Sequence, residues 1–375
     1  MMVSIHTQRS QFFFAGGGTG GHIYPALAVA AELTRQQRDA EIAFFCSSRE
    51  VDARILAGQG YAFFPLPATG FSPHPIKAMK FAAEFFKSYV FVKHVLRPVR
   101  DHAALIGTGG FVSAPAILAA HALKIPVYML NVDYVPGKAN RLLARYAKTI
   151  FTQFDRTGDF FPKHRDKIVA AGCPLRADFA APDPEAARRA LGLDPDKRVL
   201  LITGASSGAL SINQAMVKLL PELGAYADDW QVVHLTGQSH FQAVRAETEG
   251  AAIAWHTVDY VDAMADLYAA ADIIVGRSGA VSVAEYAAAR RPAVCLPYPY
   301  HKDNHQLLNA EELVKSGGAV IVDDVIGDNH KTAATLMATL HDLMTNEPRR
   351  RQMARAARAA ARPDAAQRIA EAIAR

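Results

Sequence analysis

The chain has 375 residues, enough for two domains of ordinary size. Half of them are hydrophobic and 21% are charged, a composition that excludes a disordered chain. The net charge of +5 suits an anionic ligand or an anionic membrane surface. No nucleic-acid-binding motif and no dense Lys/Arg run accompany it, so nucleic acid is not an expected partner. Cys46, Cys173 and Cys295 lie far apart and show neither metal-ligand spacing nor a disulfide framework, which predicts a reducing compartment and no bound metal. No run of about 18 unbroken apolar residues occurs, so no transmembrane helix is expected. Residues 1–10 are short and polar and lack the apolar core of a secretion signal.

Short apolar runs alternate with helical patterns along the chain, the signature of parallel α/β sheets. A strand is expected over residues 11–15, then the glycine-rich turn Gly16-Gly17-Gly18-Thr19-Gly20-Gly21-His22, then a helix over about 25–35. A second strand covers 41–46. Residues 104–106 lead into another small-residue turn, Gly107-Thr108-Gly109-Gly110, and further strands are expected over 126–130 and 149–152. A second unit begins after Gly172-Cys173-Pro174, and residues 178–196 read as a connection with a short helix. Residues 198–203 then repeat the opening theme: a strand, the turn Gly204-Ala205-Ser206-Ser207-Gly208, and a helix from about 211. Strands over 231–235, 273–275, 293–296 and 319–322 follow. The fold class expected is α/β, with two Rossmann-like doubly wound domains that each open with a strand–turn–helix phosphate-binding device. The Ala- and Arg-rich tail from residue 347 reads as amphipathic helix able to pack back on the first domain.

The first turn satisfies G-x-G-x-x-G through Gly16, Gly18 and Gly21. Glycine lets the backbone approach a phosphate, and the helix that follows favours negative charge at its start. A dinucleotide-binding dehydrogenase is the rival reading, and it wants an acid at the end of the second strand for the ribose. Here that strand ends Phe45-Cys46-Ser47-Ser48, and the nearest acid, Glu50, sits late. His22 closes the turn, either as a general base or as a histidine that bonds backbone or phosphate. Pro25 is expected near the helix start, where a missing N–H costs nothing.

Gly109 and Gly110 stand at a strand end, where ligands bind in open α/β sheets and where tight turns also occur. Ser278, Gly279 and Ala280 suit a helix N-terminus facing a diphosphate. Glu285, two turns further in, is either an acceptor for two ribose hydroxyls or a solvated helix glutamate. The stretch His301-Lys302-Asp303-Asn304-His305-Gln306 reads sugar hydroxyls or is a solvated loop. Residues 71–100 interleave Ile76, Met79, Phe85 and Phe86 with Lys77, Lys80, Lys87 and Lys93. That pattern fits a helix in a membrane interface or an amphipathic helix docked on the core.

Together these motifs resemble the MurG family, bacterial transferases that add N-acetylglucosamine to lipid I, the undecaprenyl-pyrophosphoryl muramyl-pentapeptide, to make lipid II. The likeness runs over nearly the whole chain. The turn ending in His22 resembles the family's first glycine loop, and Gly109-Gly110-Phe111-Val112-Ser113 its second. Gly172-Cys173-Pro174-Leu175-Arg176 stands for Gly-Asn-Pro-Val-Arg, which puts Arg176 at the diphosphate-contacting arginine. Residues 204–209 are similar to the third loop, and Tyr260-Val261-Asp262-Ala263-Met264 to the segment whose backbone reads uracil. Residues 277–285 match the uridine-binding helix, with Glu285 at the ribose position, and Gln306 falls on a glutamine that reads the sugar.

The resemblance implies the GT-B arrangement. Domains over 1–175 and 176–357 would face each other across a cleft, and a helix over about 358–375 would return to the first. It implies UDP-N-acetylglucosamine as donor, lipid I as acceptor, no required cofactor, and an inverting displacement that forms a β-1,4 link. It further implies peripheral attachment at the cytoplasmic face of the cell membrane, with an anionic membrane surface and cell-wall assembly proteins as partners. The donor-binding set carried over is Thr19, Gly20, Gly21, His22, Arg176, Ser206, Val261, Met264, Ser278, Gly279, Ala280, Glu285, His305 and Gln306. Gly109, Gly110, Ile76, Met79, Phe85 and Phe86 fall to the acceptor and the membrane. His22 is the first candidate for the general base and Asp133 the reserve.

The chain departs from the family where His-Glu-Gln-Asn is usual. Leu130-Asn131-Val132-Asp133 stands there, with Asp133 in place of an asparagine. Ala205, Ser207 and His305 are further departures. Three other readings remain at this stage: a transferase with another lipid or natural-product acceptor, a UDP-sugar epimerase, and an inactive UDP-sugar-binding paralogue. Retention of Arg176, Glu285 and Gln306 speaks against the last.

Overall fold

The computed structural model describes residues 9–70, 74–181, 183–204, 208–301 and 303–374. Ser206, with its neighbours Ala205 and Ser207, lies outside the described residues. The chain divides into two compact units, Met1–Arg176 with Asp364–Arg375, and Ala177–Pro363.

The first unit is built on seven strands: β1 (Gln11–Gly16), β2 (Glu41–Ser47), β3 (Ala62–Leu66), β4 (Ala103–Gly109), β5 (Val127–Asn131), β6 (Thr149–Thr152) and β7 (Ile168–Ala170). Their spatial order is β3-β2-β1-β4-β5-β6-β7, and all pairings are parallel. The central strands are buried on both faces, so they read as unbroken apolar runs rather than alternating ones. In β1, Phe13 stacks on Phe45 at 5.7 Å, while its neighbour Phe14 points to the other face and stacks on Phe44 at 5.1 Å. Phe45 continues to Phe64 of β3 at 5.7 Å, giving one aromatic ladder across three strands.

The second unit has β8 (Arg198–Thr203), β9 (Trp230–Leu235), β10 (Trp255–Val258), β11 (Ile273–Gly276), β12 (Ala293–Cys295) and β13 (Ala319–Ile321). Their order is β10-β9-β8-β11-β12-β13, again parallel throughout. Both sheets thus carry the doubly wound order, with helices between successive strands. Within β9, His234 is fully buried, and burial lowers its pKa to about 3, so it is neutral at physiological pH. Its Nε2 donates to Asn213 Oδ1 at 3.0 Å, and Asn213 Nδ2 donates to the Thr236 carbonyl at 3.0 Å. That chain fixes the strand's end against the helix Leu210–Lys218.

Three strands that the sequence reading did not anticipate, β3, β7 and β10, all lie at sheet edges. Edge strands are covered less fully, and their apolar signal is correspondingly weak: β7 has three residues, and every residue of β10 is half-buried. The first helix runs Gly20–Gln36 rather than from about residue 25, so Pro25 lies inside it. Residue 25 therefore cannot donate to the Gly21 carbonyl, one turn back. The tail forms two helices, Glu347–Ala360 in the second unit and Ala365–Ala374 in the first, with Pro363 between them. Ala365–Ala374 buries Ala366, Ile369 and Ile373 and packs on Gly20–Gln36, the helix that carries the glycine turn.

All three cysteines are buried and unbridged. Burial pushes the Cys46 thiol up to about 12, aided by the nearby Asp52 charge, and burial alone does the same for Cys295, so neither is a nucleophile at neutral pH.

One side chain gathers the carboxyl ends of the second sheet. Arg277, which follows β11, ion-pairs with Asp324, beyond β13, at 2.7 Å, and both side chains are 10% exposed or less. Its Nη1 donates to the Leu296 carbonyl at 3.0 Å and its Nη2 to Ser211 Oγ at 2.8 Å. Ser211 Oγ donates to Asp324 Oδ2 at 2.7 Å, and the guanidinium lies 5.4 Å from the centre of the Tyr298 ring. Removing one member of such a pair leaves a buried charge. Asp324→Ala should therefore cost about 3–5 kcal/mol in equilibrium denaturation, and Arg277→Met with Asp324→Leu should cost less than the single change.

Candidate active site

In the first unit the glycine turn follows β1 and opens the helix Gly20–Gln36. His22, half-buried in the first turn of that helix, points its Nδ1 at the Gly17 carbonyl, 3.0 Å away. A carbonyl only accepts, so Nδ1 carries the proton. In the neutral ring Nε2 is then left with its lone pair, the state a general base requires. Thr19 Oγ1 lies 3.4 Å from the same nitrogen.

The second turn, after β4, closes on the first. Gly109 has φ +110°, and a Cβ there would come 2.8 Å from Cδ2 and Nε2 of His22. Gly110 has φ +79°, and a Cβ there would come 2.6 Å from the Gly17 carbonyl oxygen. Both positions need the left-handed region and open space, which glycine alone supplies. Ser113, buried at the start of the helix Ser113–Ala122, ties the two strand ends together. Its hydroxyl lies 2.6 Å from the Ala15 carbonyl and accepts from Gly109 N–H at 3.0 Å.

Asp133 stands on the loop after β5, the next strand in the sheet. Asn131 Nδ2 donates to the Asp133 main-chain carbonyl at 2.7 Å, and Asn131 Oδ1 accepts from Asn140 at 3.0 Å. Arg176, at the end of the unit, lies over the ring of Tyr24, 5.1 Å from its centre, on the same helix as His22. The structure therefore brings Thr19, Gly20, Gly21, His22, Gly109, Gly110 and Arg176 together around one helix N-terminus and one facing turn.

Two residues that hold this arrangement escaped the sequence reading. Asp52, fully buried, accepts from Gly18 N–H and from Ser47, and Arg49 donates to the Gly18 carbonyl at 2.9 Å. The signal was present: in the helix Glu50–Ala57 the two buried positions are Asp52 and Leu56, one turn apart, so an acid occupies the apolar stripe. This acid also answers the dehydrogenase reading, because its carboxylate is spent on the turn and does not present itself to a ribose.

In the second unit the candidate residues follow β8, β10, β11 and β12. After β8, Gly204 and Gly208 bracket the third turn, and Gly208 has φ +74° and sits against the Thr236 carbonyl. Val261 and Met264 follow β10, with Met264 opening the helix Met264–Ala270. After β11 come Ser278, Gly279 and the helix Ala280–Ala289, which carries Glu285 half-buried. Asn309 Nδ2 donates to the Ser278 carbonyl at 3.2 Å, and Tyr286 OH donates to the Arg277 carbonyl at 2.8 Å, so the main chain of this turn is fixed from two helices. After β12, His305 and Gln306 open the helix His305–Lys315. Gln306 Oε1 accepts from Tyr298 N–H at 3.0 Å, and His305 Nδ1 lies 2.7 Å from Asp303 Oδ1, which holds the Asp303 carboxyl below its ordinary pKa against the cost of burial.

On the first unit the helix Pro75–Leu96 buries Ser88, Val92 and Leu96. It leaves Ile76, Met79 and Phe86 exposed at 73%, 74% and 65%. Phe85 is half-buried and packs on Phe81 at 5.8 Å. Among the described residues no helix is long and apolar enough to cross a membrane.

Residues 12–152 match the glycosyltransferase family 28 N-terminal domain and residues 199–369 its C-terminal domain. A UDP-N-acetylglucosamine–N-acetylmuramyl-(pentapeptide) pyrophosphoryl-undecaprenol N-acetylglucosamine transferase from Desulfitobacterium hafniense is 34% identical over 362 residues, 94% of this chain and 96% of the relative. The crystal structure of MurG from Acinetobacter baumannii superposes with a TM-score of 0.73 at 27% identity, covering 98% of this chain and 99% of that one. A Neisseria meningitidis UDP-GlcNAc 2-epimerase bound to UDP-GlcNAc reaches a TM-score of 0.68 at 15% identity over 96% of this chain and 98% of that one, a likeness of fold alone. The chain belongs to glycosyltransferase family 28 and, within it, to the MurG family of N-acetylglucosamine transferases.

Proposed function

We propose that this chain transfers N-acetylglucosamine from UDP-N-acetylglucosamine to the muramyl 4-hydroxyl of lipid I, giving lipid II and UDP with inversion at C1. The observation that carries the reading is identity of 34% over 94% of the chain with an enzyme whose name states that transfer. The geometry of both units fits the chemistry. Nε2 of His22 takes the proton of the 4-hydroxyl as its oxygen attacks C1, while the bond from C1 to the diphosphate breaks and its electrons leave with UDP. Charge growing on the diphosphate is met by the N-terminus of Ala280–Ala289. Ser278 Oγ is buried and has no hydrogen-bond partner among the described residues. Leaving it unpaired costs on the order of 1–3 kcal/mol, which an anionic oxygen would offset. Glu285 accepts the ribose hydroxyls, Val261 and Met264 border the uracil, and His305 and Gln306 read the sugar. Asp133 serves the acceptor side and is the reserve base.

Attachment to the membrane rests on the helix Pro75–Leu96. Three large apolar side chains stand in solvent beside Lys77, Lys80 and Lys87, an arrangement that lowers its free energy by entering an anionic interface.

His22→Ala should slow single-turnover transfer to lipid I by about 10²–10⁴-fold, and a rate within about threefold of the parent removes the base assignment. Glu285→Ala should weaken calorimetric affinity for UDP-N-acetylglucosamine by roughly tenfold or more, the usual worth of hydrogen bonds to a charged group. In co-sedimentation with vesicles containing anionic lipid, Ile76→Asp with Phe86→Asp should lower the bound fraction by about tenfold. Equal binding of the parent to purely zwitterionic vesicles would remove the lysines' role.

A further inference from the structure

The Gly17–Gly18 peptide links His22 to the buried carboxylate of Asp52. Its carbonyl accepts from His22 Nδ1 at 3.0 Å, and its N–H donates to Asp52 at 3.0 Å to Oδ1 and 2.9 Å to Oδ2. In a trans peptide these two groups point in opposite directions, so holding the N–H holds the carbonyl. Both flanking residues are glycine, so the peptide is free of the side-chain clashes that would otherwise resist rotation. We infer that Asp52 is a positioning residue: through this one peptide group it fixes which nitrogen of His22 carries the proton.

The carboxylate is suited to that task. It is fully buried, and Oδ2 also accepts from Ser47 N–H at 2.9 Å and from Ser47 Oγ at 2.6 Å. Four hydrogen bonds from three groups satisfy the ion in place, and its charge makes the bond to Gly18 stronger than a neutral pair would be. An N–H polarised in this way makes its own carbonyl a better acceptor, so the pull on the His22 Nδ1 proton rises. Arg49 holds the next carbonyl, that of Gly18, at 2.9 Å, so the turn is gripped on two successive peptide groups. A flipped Gly17–Gly18 peptide would present an N–H to His22 Nδ1, move the ring proton to Nε2 and abolish the acceptor that faces the second turn. The relay runs from carboxylate through peptide to imidazole and is a longer form of the carboxylate–histidine pairs that set tautomers elsewhere.

The role of His22 as base belongs to the function proposed above, whereas the role of Asp52 is read on the ring itself. In protein labelled with ¹⁵N-histidine, the long-range ¹H–¹⁵N pattern of His22, assigned by its loss in His22→Gln, should show a protonated Nδ1 and a bare Nε2. Asp52→Asn, isosteric but uncharged, and Asp52→Ala should shift more than half of the population to the Nε2–H form. They should also lower kcat by about 10–100-fold, with KM for UDP-N-acetylglucosamine changed less than about twofold, the scale typical of groups that orient a reacting residue. In the unaltered protein the Gly18 amide nitrogen should show a scalar coupling across the hydrogen bond to Cγ of Asp52, a measurement that needs no variant to fold. An unchanged tautomer in either folded variant, or no such coupling, overturns the inference whatever the rate. A changed tautomer with an unchanged rate upholds it and removes the base assignment of His22.

Discussion

A parallel sheet whose strand order reverses beside its first strand must open there, because the connecting helices leave on opposite faces. Here the reversal falls between β1 and β4 in one sheet and between β8 and β11 in the other. Each opening is flanked by strand ends that run into glycine-rich turns and helix N-termini, where backbone N–H groups lack helical partners. Every residue with a chemical assignment on the sheets, from His22 to Gln306, follows the carboxyl end of a strand.

Such turns are too flexible to hold a reacting group unaided, and both units solve this with a buried charge. In the first, the carboxylate of Asp52 grips Gly18 and the strand end at Ser47. In the second, the guanidinium of Arg277 binds Ser211, Leu296 and Asp324, which lie beyond three different strands. The two devices have opposite sign but the same logic. An ion withdrawn from water must satisfy all its hydrogen-bonding positions, so it accepts few arrangements of the chain around it. Glycine supplies the shape and the ion removes the freedom.

The central strands were legible because double-faced burial writes them as apolar runs, as in Phe12-Phe13-Phe14 and Val199-Leu200-Leu201-Ile202. The edge strands were not, since half-covered segments of three to five residues carry little pattern. The glycine turns and Glu285 could be picked out by type and spacing, whereas Arg176 and the role of Gln306 came only with the family resemblance. The roles of Ser113 and Asp324 could not be read in either way, because what they do depends on partners distant in sequence: Ser113 meets Ala15 across 98 positions and Asp324 meets Ser211 across 113. Pro25 misled for a local reason, since a helix that opens on glycines gives no early propensity signal and so starts a turn sooner than its apolar stripe.

A lipid-linked acceptor imposes one more constraint. On the proposed function its anchor stays in the bilayer while its hydroxyl reaches His22, so an apolar surface and the first glycine turn have to be close neighbours. The first unit meets that demand within its own structure. Phe111, 55% exposed, directly follows Gly110, the residue against Gly17, and its ring fills the space a Cβ on Gly70 would take. The helix Pro75–Leu96 packs against Ser113–Ala122, the helix that Phe111 precedes. Exposed apolar side chains thus stand on the helix Pro75–Leu96, at Ile76 and Phe86, and at Phe111 beside the second turn. For a chain working in water alone this surface is a liability; on the proposed function, with an acceptor drawn from a membrane, it is the approach to His22.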